Sequence, residues 1–123
     1  MNDTTVPLVI VDAANVVGSV PDGWWRDRRG AAERLRDRLA ADGLPGRPGP
    51  LDIVLVVEGA ARGVESVPGV RVESAPGSGD DHMVELVSRA AGRPTLVITA
   101  DRGLRARVTA LGAEVAGPRT ARG

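Results

Sequence analysis

Four acidic points in this 123-residue chain stand where chemistry could be done: Asp12, Glu58, the adjacent Asp80 and Asp81, and Asp101. Asp12 ends the apolar run Leu8-Val9-Ile10-Val11, and Glu58 ends Ile53-Val54-Leu55-Val56-Val57. Asp101 follows Leu96-Val97-Ile98 after Thr99 and Ala100. Carboxylates brought together repel unless a cation compensates them. Mg²⁺ or Mn²⁺ suits such an all-oxygen set, and a hard cation so held can polarise a phosphodiester and activate water. The expected catalytic and metal-ligating residues are therefore Asp12, Asp80, Asp81 and Asp101, with Glu58 in support. Asn15, Thr99 and Arg102 are expected to orient water or a phosphate oxygen. Zinc is disfavoured, because the chain has no Cys and one His, His82.

Each acid also has a structural reading. Asp80 and Asp81 open a helix, where carboxylates satisfy free amides and complement the dipole. Ser78 and Thr99 are fair caps, and Asp12 could close an Asx turn with Asn15. What raises the set above capping is its distribution. Separate strands each deliver an acid to what would be one sheet edge.

The strands that must do this are short apolar runs at 6–11, 51–57, 70–73, 95–99 and 113–116. Between them, helical spacing covers about 26–41, 80–91 and 104–111. Residues 12–23 read as a turn broken by Gly18, Pro21 and Gly23, residues 44–50 as a loop, and 60–69 as one turn at most. Alternating strands and helices imply an α/β fold with a mostly parallel sheet of about five strands in three layers, α/β/α. In the order 3-2-1-4-5, strands 1 and 4 are neighbours at a switch point, and Asp12 faces Asp101. A single domain over 1–123 is expected, with a folded core at 5–117 and a polar tail at 118–123.

Composition narrows the class. Sixteen basic and sixteen acidic residues cancel, so bulk charge gives no support to strong nonspecific nucleic-acid binding. No apolar run is long enough to span a membrane, and Met1 to Thr5 lacks the character of a secretory signal. A cytoplasmic protein is the simplest expectation. Trp24 and Trp25 are the whole aromatic inventory; either could stack on a base, though Trp at a helix start more often packs. His82 is read as an exposed helix residue.

Three ordered blocks resemble the NYN domains of the PIN-like nuclease superfamily. They are Val11-Asp12-Ala13-Ala14-Asn15-Val16-Val17-Gly18, then Gly77-Ser78-Gly79-Asp80-Asp81, then Val97-Ile98-Thr99-Ala100-Asp101-Arg102 with Ala110-Leu111-Gly112-Ala113. The resemblance implies a PIN-like, Rossmann-like fold and a divalent-metal-dependent ribonuclease of the kind found among bacterial YacP-like proteins. It matches Asp12, one or both of Asp80 and Asp81, and Asp101 to the family's acidic metal site, Asn15 to its amide, and Glu58 to an additional acid.

The expected function is hydrolysis of RNA phosphodiester bonds, endonucleolytic, with Mg²⁺ or Mn²⁺ as cofactor and RNA as partner; a homodimer or protein partner is compatible with it. The alternative is an inactive PIN-like module that binds RNA or a protein partner. A small-molecule nucleotide binder on a Rossmann-like sheet is disfavoured, since no Gly-x-Gly-x-x-Gly follows the first strand. A dehalogenase-type phosphatase would need an acid at position 14, which is Ala.

Overall fold

β1 (Leu8–Asp12) is buried from end to end. Leu8 and Ile10 enter one apolar cluster while Val9 and Val11 enter another, so each face of the strand meets its own helical layer. The computed structural model describes residues 6–122. β1 pairs in parallel with β2 (Asp52–Val57) on one side and β4 (Thr95–Ile98) on the other. β3 (Val70–Ser74) and β5 (Glu114–Ala116) complete the sheet as parallel outer strands. The order is β3-β2-β1-β4-β5, as expected from the switch-point reading.

One face is covered by α1 (Ala13–Gly18) and α2 (Arg28–Asp42), through Val16, Ala32, Leu35 and Leu39. The other is covered by α3 (Gly79–Arg89) and α4 (Arg102–Ala110), through Met83, Leu86, Val87, Leu104 and Val108. The result is the three-layer α/β/α arrangement. Among the described residues, no helix is long and apolar enough to cross a membrane.

Two expectations about the chain's path are corrected. Residues 12–23 are not a plain turn, because α1 begins directly after β1. Asp12 caps it by accepting from the Asn15 amide at 3.3 Å, and burial of Ala13 and Val16 anchors it. Residues 118–122, read from the sequence as a polar tail, also carry regular structure. Arg119–Arg122 forms a short helix, α5, in which Ala121 is buried and its carbonyl accepts from Arg38 at 2.9 Å. Residues 1–5, which include the expected first residue of the core and the stretch read as lacking a secretory signal, and residue 123 lie outside the described residues.

Candidate active site

The parallel register aligns Val11 with Ile98, so the next residues, Asp12 and Thr99, emerge side by side at the carboxyl edge. Asp12 is 7% exposed. Its Oδ2 accepts from the Thr99 hydroxyl at 2.9 Å. The same Thr99 oxygen accepts from the Asp101 amide at 3.1 Å, and Asp101 Oδ1 accepts from the Leu104 amide at 2.9 Å as the cap of α4. A second bridge runs alongside, with the Ala100 amide donating to Asn15 Oδ1 at 2.8 Å. The ends of β1 and β4 are thereby locked together.

This changes what Thr99 can do. It is fully buried, and its hydroxyl is engaged both as donor and as acceptor. It holds Asp12 in place instead of meeting water or phosphate as expected. Thr99→Val keeps the shape but removes both bonds, and should cost about 2 kcal/mol in a denaturant melt. Thr99→Ser should recover most of that loss. Asp101, not Thr99, caps α4.

Glu58 reaches the same edge from β2. Its Oε1 accepts from the Gly79 amide at 2.6 Å, at the start of α3. A Cβ at Gly79 would lie 2.0 Å from that oxygen, so only glycine allows the grip. Gly79→Ala should force Glu58 aside. The lost charged hydrogen bond outweighs the gain from replacing a helical glycine, giving a net loss of about 1 kcal/mol in thermal melts. Neither this glycine nor Arg105, whose Nε donates to the Thr99 carbonyl at 2.7 Å, was singled out by sequence reasoning. Nothing local links Glu58 to a residue twenty-one positions on.

The adjacent acids of α3 divide. Asp81 is turned to Arg107 at 3.0 Å and is largely exposed. Asp80 is half-buried and feels Asp101, Glu58 and Asp81, with Arg107 opposing them; burial and these neighbours raise its carboxyl above the usual range. Burial likewise pushes Asp12 up to about 6, against the Thr99 and Asn15 hydrogen bonds, while Asp80 and Glu58 add to the rise. Asp12, Glu58, Asp80 and Asp101 are thus one electrostatically coupled group. Asp81 sits at its margin.

Arg102 is exposed at the first residue of α4 and makes no ion pair among the described residues. His82 is not the exposed residue expected, since its ring Nε2 lies 2.7 Å from Glu73 Oε1 and it is half-buried. Among the described residues, no three His, Cys, Asp or Glu side chains converge as a ready-made metal cage. The donors nevertheless suit a hard cation in kind: all are carboxylates, and Asp12 and Asp80 have pKa values raised first by burial and then by neighbouring carboxylates.

The sheet order and the two helical layers define a three-layer α/β/α fold around a five-stranded parallel sheet. A solved structure shares it: Rae1 (YacP) from Bacillus subtilis, with a TM-score of 0.65 and 14% sequence identity, over 95% of this chain and 73% of that one. The expected likeness to YacP-like proteins is met at the level of fold. No family model matches the chain, and no curated protein sequence does.

Proposed function

We propose that this protein is a divalent-metal-dependent ribonuclease, cutting RNA internally at the carboxyl edge of the sheet. The observation that carries the reading is the coupled set of Asp12, Glu58, Asp80 and Asp101, which gathers negative charge where the fold places its crevice. Such a set is unfavourable alone, and function is the usual reason for keeping it. The likeness in fold to Rae1 (YacP) supports the same reading.

Asp12, Asp80 and Asp101 would hold Mg²⁺ or Mn²⁺, with Glu58 in support. When bound, the cation would supply Lewis-acid activation of the phosphodiester and lower the pKa of water. The chain's own residues set the geometry. Thr99 and the Asn15 amide fix both Asp12 oxygens, Asp101 is held by α4, and Glu58 by Gly79. Asn15 carries a side-chain amide whose oxygen is already committed to Ala100, which leaves its NH₂ as the donor for a phosphate oxygen. Arg102, at the helix start and in no ion pair among the described residues, can meet a second.

The test is cleavage of an end-labelled single-stranded RNA with Mn²⁺ and with excess EDTA. Cleavage that requires Mn²⁺ is expected. Equal cleavage in EDTA, or none in Mn²⁺, contradicts the reading; RNA binding without any cutting would instead favour the non-catalytic module.

A further inference from the structure

Both tryptophans lie in the connection between α1 and α2, beside the acidic edge. Trp24 packs over the end of α1 with its ring beside Gly18, where a Cβ would make ordinary van der Waals contact at 3.6 Å. The same ring walls a cavity of about 150 Å³ with Ala13, Ala14, Val17 and Val57, and Glu58 at its polar end. Sites for drug-sized ligands run to about 300–1,000 Å³, so this cavity suits one ring system. Ala13 and Ala14 directly follow Asp12, and Glu58 belongs to both the cavity and the acidic group. Outside the cavity, Trp25 stands edge-on to Trp24 at 6.1 Å between centroids and is 55% exposed.

Two guanidinium groups complete the patch. Arg28 lies 5.3 Å from the Trp24 ring centroid and Arg26 lies 5.6 Å from that of Trp25. Among the described residues, neither is in an ion pair, whereas Arg29 and Arg36 of α2 are held by backbone carbonyls and by Glu33 and Asp37. Each guanidinium lies over one face of its ring, so an aromatic surface and a cation are presented together, a combination that matches a nucleobase and its flanking phosphate.

We propose that the Trp24 cavity and the exposed Trp25 form a subsite for unpaired bases of single-stranded RNA, adjoining the acidic edge. One base enters against Trp24, its neighbour stacks on Trp25, and Arg26 and Arg28 meet the backbone phosphates. A base already paired in a duplex cannot enter, so the subsite selects single strands. The choice of ligand rests on the ribonuclease reading; the binding itself needs neither metal nor cleavage.

The chain's only aromatic residues are these two tryptophans, so intrinsic emission reports on the subsite alone. A ten-nucleotide single-stranded RNA is titrated into the full chain in EDTA, beside a duplex of the same length. Saturable quenching by the single strand only is expected, with binding weakened roughly tenfold by Trp25→Leu and similarly by Arg28→Gln. Trp25 is exposed, so its variant should fold, and a far-ultraviolet spectrum checks this. Unchanged emission, equal quenching by the duplex, or an unchanged Kd in Trp25→Leu overturns the subsite. Mn²⁺-dependent cleavage is scored separately. If cleavage persists without the emission change, the subsite falls and the nuclease stands; the converse spares the subsite alone.

Discussion

Asp12→Asn should lower Mn²⁺-dependent RNA cleavage on the order of 1,000-fold while leaving the protein folded. The size follows from losing a charge that anchors a cation worth several kcal/mol to the transition state, at about 1.4 kcal/mol per factor of ten. Retention of the fold follows from the geometry. Asn has the same shape, its oxygen can still accept a hydrogen bond, and the Thr99 hydroxyl can turn to accept from its amide. Single-turnover cleavage and a melting curve on the same preparation check both halves. A folded variant that cleaves as fast as the wild type would remove Asp12 from the chemistry.

The same carboxylate should impose a pH dependence on stability in metal-free buffer. Its folded pKa is about 6, against 3.8 for an unperturbed carboxyl. Between those values the folded state holds a proton that the unfolded state has released. The stabilisation is therefore fully present below about pH 3.8 and lost as pH rises through 6. Above pH 7 the ionised, buried Asp12 costs the folded protein roughly 3 kcal/mol. Other groups titrate over the same range, so the informative quantity is the difference between wild type and Asp12→Asn in urea melts. Asp12→Asn should be the more stable at pH 7.5, and the two should converge near pH 4. A constant difference across that range would mean that Asp12 is not desolvated as the fold implies. Cleavage and stability pull in opposite directions here, as expected where a site is kept at the expense of the fold.

Much of this was legible in the sequence, for identifiable reasons. The strands around Val9, Val54 and Val97 are short apolar runs ending at acids, and such runs in alternation with helices admit few topologies. Burial of β1 on both faces then makes Asp12 a central-strand residue. What sequence patterns missed was set by contacts across the chain. Glycine at position 79 looks like a helix-start breaker until Glu58 is seen to occupy the space of its missing side chain. Asp80 and Asp81 are indistinguishable as neighbours, and only the placement of Arg107 on α4 draws one away. Thr99 looked like a phosphate contact because its hydroxyl is polar, but the register with β1 commits it to Asp12. The helix at Ala13–Gly18 was hidden by its β-branched and glycine residues, which are poor helix formers. Capping by Asp12 and tertiary packing override that preference.

The central claim is that Asp12 shares a divalent cation with Asp101 or Asp80 at the carboxyl edge of β1 and β4. Anomalous scattering from a crystal of the protein soaked in Mn²⁺ tests it most directly. A manganese peak is expected in contact with Asp12 and at least one of those two carboxylates. A soaked crystal with no peak there, or with these acids turned onto arginine instead, would contradict it.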